Sequence, residues 1–145
     1  MNLFRDIPEE QIETVLKNIR NNLQRISLHD GHVIRRHVDI QPQILKSRLQ
    51  AEEKKYATSF YDMKTAKVVT VGLMQILYEN QIKLWLLSPG NDLLMLRGRC
   101  KTGVGYGFQK GDGQLHENLN HVRVVLEKEE CRSWGFRILT SYPTF

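Results

Sequence analysis

The sequence predicts an α+β fold, with helices in the first half of the chain and an antiparallel sheet in the second half. Up to about residue 85, apolar residues recur at intervals of three and four, which is the period of a helix. The segment Ser88-Pro89-Gly90-Asn91-Asp92 breaks this pattern, and short stretches with the two-residue period of strands follow it. The length of 145 residues favours a single domain over residues 1–145.

Four helical segments are predicted before the break. They span about residues 7–27, about residues 32–38, a segment that opens at Pro42, and a segment that starts after Asp62 and continues or restarts through Trp85. Asp6 is the candidate N-cap of the first helix, and a proline such as Pro42 is typical of a first helical turn. Lys54-Lys55 and Thr58-Ser59 are predicted to form a loop.

Strands are predicted after the break at Leu93–Leu96, Val104–Phe108, Val122–Leu126 and Phe136–Tyr142, with a hairpin turn over residues 127–135. Strict alternation would place four side chains of the last strand on one face: Phe136, Ile138, Thr140 and Tyr142. Pro143 lacks a backbone donor and is expected to end that strand.

Composition narrows the classes of function. The net charge of +5 favours a polyanionic partner without requiring one. Cys100 and Cys131 allow at most one bridge, so they cannot build a disulfide framework. His29 and His32 are three residues apart, but no further ligand completes a metal site, and neither a metal nor a cofactor is predicted. The chain has no long apolar run, so no signal peptide and no membrane segment are predicted.

A divided set of polar residues marks the candidate site. His37 and Arg48 fall on the apolar sides of the two short helices, and Thr140 and Tyr142 fall at the end of the chain. In one cleft, an imidazole, a guanidinium, a hydroxyl and a phenol could transfer protons and hold a phosphate, which suggests RNA cleavage without a metal. His32 lies about 140° from His37 around an ideal helix and is the secondary candidate.

Each of these residues also has an ordinary structural interpretation. A histidine on an apolar helix face is more often an interior residue, an arginine can form a structural ion pair, and a tyrosine can belong to the core. The candidates for contacts with substrate are Arg35, Arg36 and Lys46, and such residues are also common on solvated surfaces. Two other functions stay open: a non-catalytic basic RNA-binding module that stacks bases on Tyr106 and Phe108, and a small protein-interaction domain.

Short motifs along the chain point to a known family. In order they are Gly31-His32-Val33-Ile34-Arg35-Arg36-His37-Val38, then Leu45 with Arg48-Leu49, then Thr58-Ser59-Phe60-Tyr61-Asp62, then Val122-Arg123-Val124-Val125-Leu126, and finally Ile138-Leu139-Thr140-Ser141-Tyr142-Pro143. From residue 31 to the C-terminus, the chain thereby resembles the bacterial ribonuclease A-like toxin domains of contact-dependent growth inhibition proteins and other polymorphic toxins. Residues 1–30 then form an N-terminal helix that is a candidate extension, and residues 31–145 the family-like region.

The resemblance implies a fold like that of pancreatic ribonuclease without its disulfides, and an endoribonuclease that needs neither metal nor cofactor. It assigns catalytic roles to four residues: His37, Arg48, Thr140 and Tyr142. It also implies an RNA substrate, a cognate immunity protein that inhibits the toxin, and delivery from the producing bacterium into the cytoplasm of a target cell. The chain departs from the family in two ways: Asp39 stands where the family often has glycine, and the chain begins with its own Met1.

Metal-free cleavage of RNA requires a base near the ribose 2′-hydroxyl, an acid near the leaving 5′-oxygen, and positive charge around the phosphate. His37 is the best candidate base, because an unperturbed imidazole titrates near pH 6.5. Arg48 suits the phosphate oxygens, because a guanidinium is forked and stays charged. Tyr142 could donate to the leaving oxygen or only position the phosphate, and Thr140 could bind a nucleobase or the phosphate. The products would be a 2′,3′-cyclic phosphate and a free 5′-hydroxyl.

Overall fold

A series of short helices precedes two three-stranded antiparallel sheets, which confirms the predicted α+β class. The structure is a computed structural model and describes residues 3–130 and 134–145. The helices are α1 (Glu9–Asn21), α2 (Val33–His37), α3 (Pro42–Ala51), α4 (Met63–Ile76) and α5 (Lys83–Leu87), with a 3₁₀ turn at Leu23–Arg25 and a π-helical stretch at Tyr78–Ile82. The strands are β1 (Tyr56–Phe60), β2 (Leu93–Arg99), β3 (Gly105–Gln109), β4 (His116–Leu119), β5 (His121–Lys128) and β6 (Phe136–Thr144).

The first helix is shorter than the periodicity predicts. It ends at Asn21, and the separate 3₁₀ turn at Leu23–Arg25 carries the chain onward, so the continuous helix predicted over residues 7–27 is wrong at both ends. Pro8, and not Asp6, occupies the N-cap position. The apolar stripe is nevertheless buried in the main core, as an amphipathic pattern requires.

The later helices begin close to the predicted positions. Pro42 opens α3, and the Asp62 carboxylate caps α4 by accepting a hydrogen bond of 2.7 Å from the Thr65 N–H. After α4 the chain continues through the π-helical stretch and restarts as α5, which contains Trp85. No helix in the described part of the chain is long and apolar enough to cross a membrane.

The two sheets contain two strands that the sequence pattern did not predict, β1 and β4. One sheet has the order β1-β3-β4 and the other β2-β5-β6. In β1, Thr58 and Ser59 are buried strand residues, so the predicted loop is wrong there. The Thr58 hydroxyl donates to the Pro143 carbonyl at 2.5 Å, and the Ser59 hydroxyl accepts from the Ile40 N–H at 3.0 Å. Because both hydroxyls are paired, the strand can be buried without apolar side chains at these positions.

A bulge in β6 changes which of its side chains face the core. Leu126 pairs with Ile138 while Val125 pairs with Thr140, so Leu139 is an extra residue in this strand. Beyond the bulge Ser141 is buried, whereas Thr140 is only half-buried. The prediction of one common face is therefore wrong for the strand as a whole, because the extra residue reverses the alternation.

For the end of β6, the predicted common face of Thr140 and Tyr142 is confirmed, and the predicted strand end at Pro143 is wrong. Thr140 and Tyr142 do share one face, since both lie after the bulge. Pro143 does not end the strand, because it pairs with Val122 inside β6. Because β6 lies at the edge of its sheet, it pairs with only one strand of that sheet. A proline is tolerated there, since the N–H that Pro143 lacks is not needed for hydrogen bonds on both sides.

The start of α2 lies against β6 at a distance that only glycine permits. A Cβ atom at Gly31 would lie 2.2 Å from the Leu139 carbonyl oxygen, far inside any non-bonded contact. The His32 N–H donates to this same carbonyl at 2.8 Å. The bulged residue of β6 is thus joined to the start of α2, which brings the helix that carries His37 to the strand that carries Thr140.

Candidate active site

A cavity of about 490 Å³ lies where α2 and α3 meet β1, β5 and β6. The four residues predicted as catalytic all line it: His37, Arg48, Thr140 and Tyr142. They come from two helices and one strand that are far apart in the chain. The structure therefore brings together the two halves of the divided polar set.

The backbone holds the His37 ring in a defined orientation and tautomer. Its Nδ1 atom lies 3.1 Å from the Thr58 carbonyl oxygen. Since a carbonyl oxygen can only accept, Nδ1 carries the proton in the neutral ring and Nε2 keeps its lone pair. The ring packs against Tyr142 with 5.1 Å between centroids. Nε2 is therefore the atom that can accept a proton.

The surroundings of His37 favour the uncharged imidazole. Its pKa is lowered to about 4, mainly by burial and also by the charges of Arg36, Arg48 and Lys54, while the hydrogen bond to Thr58 acts in the opposite direction. The ring is consequently neutral at pH 7 and can act as a base. An anionic phosphate in the cavity would offset the positive charges and raise this pKa toward the working pH.

Arg48 presents a positive charge that a main-chain carbonyl holds in place. Its Nη1 donates to the Arg36 carbonyl oxygen. The neighbouring guanidinium of Arg36 makes two hydrogen bonds of 3.0 Å to the Glu52 carboxylate, and Lys54 pairs with the same carboxylate at 3.0 Å. Within the described residues no carboxylate lies at ion-pair distance from Arg48. Its charge is therefore available to a phosphate group.

Tyr142 is neutral and belongs to a cluster with Tyr56 and Arg123. Burial raises the pKa of its hydroxyl, and so does Tyr56, while the hydrogen bond with Arg123 acts in the opposite direction. Arg123 is the direct cross-strand neighbour of Tyr142 in the β5–β6 pair. The phenol therefore keeps its proton at neutral pH, and a guanidinium stands beside it to stabilise a phenolate if that proton is transferred.

The Thr140 hydroxyl is buried and makes no hydrogen bond to any described residue. A buried hydroxyl without a partner lowers stability by about 1–3 kcal/mol. The residue also lines the cavity.

The remaining predicted residues are divided between the cavity and its surroundings. His32 and Arg36 line the cavity. His32 precedes α2 as its N-cap residue, so the 140° expected from an ideal helix does not describe its position. Arg35 lines a neighbouring depression, and the Lys46 ammonium lies 5.9 Å from the centre of the Phe108 ring.

Sequence reasoning missed Tyr56 and Arg123 as site residues. Tyr56 begins β1, which was predicted as loop, so its orientation could not be inferred. Arg123 did leave a local signal, because it is the charged residue between the buried Val122 and Val124 of a predicted strand. Pairing that strand with the last one in the correct register would have placed Arg123 beside Tyr142.

The aromatic residues on which the RNA-binding alternative depended serve the packing of β3. The Tyr106 hydroxyl donates to the Ile40 carbonyl at 2.6 Å, and Phe108 is buried in a small core with Leu45 and Ala57. Phe108 therefore does not offer a free face to a base.

Two further expectations concern metals and cysteines. Within residues 3–130 and 134–145, no group of three or more histidine, cysteine, aspartate or glutamate side chains could hold a metal ion. Cys100 is a free thiol, whereas Cys131 lies outside the described residues. No disulfide is present in the part of the chain that the structure describes.

Comparison with known proteins agrees with the fold. The family model of the bacterial CdiA-CT RNAse A domain matches residues 31–143. The crystal structure of a CdiA-CT/CdiI complex from Y. kristensenii 33638 contains a similar chain, with 25% sequence identity and a TM-score of 0.73. The match covers 79% of this chain and 100% of that one. No curated protein matches the chain significantly. The chain belongs to the bacterial CdiA-CT RNAse A domain family and is a ribonuclease toxin of bacterial competition.

Proposed function

We propose that the chain is a metal-independent endoribonuclease that cleaves RNA through attack of the ribose 2′-hydroxyl on the adjacent phosphorus. The observation that carries the proposal is the convergence on one cavity of a neutral imidazole, a guanidinium, a neutral phenol and a hydroxyl. Among the described residues, the guanidinium has no ion pair and the hydroxyl has no hydrogen bond. The first three supply a base, a phosphate clamp and a proton donor.

The proposed reaction begins at His37. Its Nε2 takes the proton of the 2′-hydroxyl, and the oxygen attacks phosphorus. The bond from phosphorus to the 5′-oxygen then breaks, and Tyr142 donates its proton to that leaving oxygen. The products are a 2′,3′-cyclic phosphate and a free 5′-hydroxyl, and the proton on His37 returns to the phenolate. The two rings pack against each other, with 5.1 Å between their centres.

Arg48 stabilises the negative charge that develops on the phosphorane, because it forms no ion pair with a carboxylate of the described residues. Thr140 contributes a hydroxyl to the phosphate or to the base. Arg36 adds positive charge at the cavity, while Arg35 and Lys46 lie further out, where they would attract the rest of the RNA chain.

His32 is the second candidate for the proton donor. It lines the same cavity and its side chain is exposed. If Tyr142 only positions the phosphate, His32 would protonate the leaving oxygen in its place. The two roles are distinguished by replacing each residue separately.

A cognate immunity protein is the proposed protein partner. The similar chain from Y. kristensenii was solved as a CdiA-CT/CdiI complex. The cavity of the present chain is lined by five Lys and Arg side chains: Arg36, Arg48, Lys54, Lys55 and Arg123. An inhibitor with an acidic surface would complement them and block the site. We further propose that the toxin acts in the cytoplasm of a target cell, where RNA is available.

Residues 1–145 are proposed to act as one domain, in which the N-terminal helix is an integral part. Leu16 and Leu23 are buried in the same core as Phe60. The Tyr78 hydroxyl donates to the Leu16 carbonyl at 2.7 Å. Removal of residues 1–30 would therefore expose part of this core and reduce stability.

The deciding experiment incubates the purified protein with total RNA, in excess EDTA and in magnesium, and maps the new ends. Equal cleavage is expected in both buffers, with 2′,3′-cyclic phosphate and 5′-hydroxyl ends. His37→Ala and Arg48→Ala should each lower the rate by about 10²-fold or more. His121→Ala is the matched control, because that histidine is exposed and outside the cavity. Activity that EDTA abolishes and a divalent ion restores would contradict the mechanism.

A further inference from the structure

Two arginines stand directly opposite each other on the face of the β2-β5-β6 sheet that carries the Tyr142 phenol. Arg97 of β2 pairs with Arg123 of β5, and Arg123 pairs on its other side with Tyr142 of β6. Because directly opposite residues of an antiparallel pair share a face, the three side chains form one row across the sheet. The row ends at the cavity, which Arg123 and Tyr142 line, whereas Arg97 is exposed outside it.

The pairing of Arg97 with Arg123 is unfavourable by itself. Directly opposite side chains hold their Cβ atoms roughly 5 Å apart, and like charges in such a pair destabilise a sheet. Within residues 3–130 and 134–145, neither guanidinium forms an ion pair with a carboxylate that would offset the repulsion. The repulsion is relieved when the two guanidinium groups move apart.

The positions of the two arginines show such a separation. β5 is the central strand of its sheet, so the side of Arg123 that is opposite to Arg97 is the side of β6. Arg123 is half-buried at the cavity and forms a hydrogen bond with the Tyr142 hydroxyl, while Arg97 is exposed to solvent. Repulsion from β2 and the hydrogen bond on β6 therefore act on Arg123 in the same direction.

We propose that Arg97 is a positioning residue for RNA cleavage, which acts through Arg123 on the phenol of Tyr142. Its charge repels Arg123 toward β6 and so keeps a guanidinium beside the hydroxyl that protonates the leaving oxygen. The proposal rests on the proposed function, in which Tyr142 is the proton donor. A phenol that gives up its proton becomes an anion, and a fixed positive charge beside it stabilises that anion. Arg97 lies outside the cavity, so this role requires no contact with the reacting atoms.

The test reverses the charge of Arg97. In Arg97→Glu, the new carboxylate would attract Arg123 across the strand pair and draw it away from Tyr142. The kcat of RNA cleavage should therefore fall by about 10-fold, whereas Arg97→Lys keeps the positive charge and should retain the wild-type kcat. Arg99→Glu is the matched control, because it makes the same change of charge on the same face of β2, opposite His121. It should leave kcat unchanged, although either reversal of charge can raise KM by weakening the general attraction of RNA.

A second background shows whether Arg97 acts through Arg123. Arg123→Gln removes the guanidinium and should lower kcat by about 10-fold or more. In the Arg123→Gln protein, the further change Arg97→Glu should leave kcat as it is, because no guanidinium is left to displace. An equal loss of kcat in both backgrounds, or a loss that Arg99→Glu matches, would overturn the proposal. So would an Arg97→Glu protein with the wild-type kcat and a raised KM, which would make Arg97 part of an RNA-binding surface instead.

Failure of the proposed function has a different signature, in which the wild-type protein cleaves no RNA or Tyr142→Phe keeps the wild-type kcat. The comparison then moves to the phenol itself, which faces three titratable groups: His37, Tyr56 and Arg123. Alkaline titration by absorbance, taken as the difference between each protein and its Tyr142→Phe version, gives the pKa of Tyr142. Arg97→Glu should raise this pKa, because the hydrogen bond and charge of Arg123 lower it in the wild type. Equal pKa values in the wild-type and Arg97→Glu proteins would overturn the proposal.

Discussion

Replacing His37 with asparagine is expected to remove a loss of stability that the wild-type protein suffers in acid. The imidazole has a pKa of about 4 in the folded chain, against 6.5 for an unperturbed histidine. The unfolded chain therefore binds a proton at this position first, as the pH falls below about 6.5. That proton stabilises the unfolded state and lowers the free energy of unfolding. Above pH 7 the ring is neutral in both states, so it contributes no pH dependence there.

The size of the effect follows from the pKa difference. Each pH unit is worth about 1.4 kcal/mol, so the free energy of unfolding falls by up to about 3 kcal/mol between pH 6.5 and pH 4. This is a large part of the stability of an ordinary small domain. Asparagine does not titrate, and its side-chain amide can still donate to the Thr58 carbonyl that His37 Nδ1 contacts.

Urea denaturation of both proteins at several pH values between 7.5 and about 4 measures the effect. The stability of the wild-type protein relative to His37→Asn should fall steadily below pH 6.5. His121→Asn, which removes an exposed histidine, should keep the wild-type dependence on pH. If the curves of wild type and His37→Asn stay parallel over this range, the neutral state of the half-buried imidazole and its role as the base are both in doubt.

Substitutions at three other positions provide further tests. Thr140→Val removes a buried hydroxyl that has no partner among the described residues, so it should raise the free energy of unfolding by about 1 kcal/mol and lower RNA cleavage. Thr140→Ser should keep activity, and a destabilised Thr140→Val protein would argue against an unpaired hydroxyl. Tyr142→Phe keeps the ring and should lower kcat by about 10²-fold with little change in RNA affinity. Unchanged turnover would instead assign the role of proton donor to His32. Asp39 has a φ of 51°, in the region that favours glycine. Asp39→Gly should therefore raise the free energy of unfolding by up to about 1 kcal/mol, and Asp39→Ala should lower it. Thermal denaturation measures both effects, and the reverse order of stability would refute the backbone strain at this residue.

Local features of the sequence determined most of the helices and the general course of the strands. Pro42 and Asp62 begin helices through interactions within one turn, so their effects are visible in the sequence. The alternation in β5 is equally local, because each side chain faces the side opposite to its neighbour's. His37 and Arg48 were predicted as a pair for the same reason, since the periodicity of α2 and α3 shows which face each side chain occupies.

Only the tertiary structure decided how the cavity is completed. β1 is buried because Thr58 and Ser59 find hydrogen-bond partners elsewhere, and the partner of Thr58 is 85 residues away. The bulge at Leu139 turns Thr140 away from the core, and its register depends on the pairing with β5. Such contacts form between segments that are distant in the chain, so the local pattern of polar and apolar residues does not predict them. The same long-range pairing places Arg123 beside the phenol of Tyr142. The contact between these two residues was therefore identified from the tertiary structure.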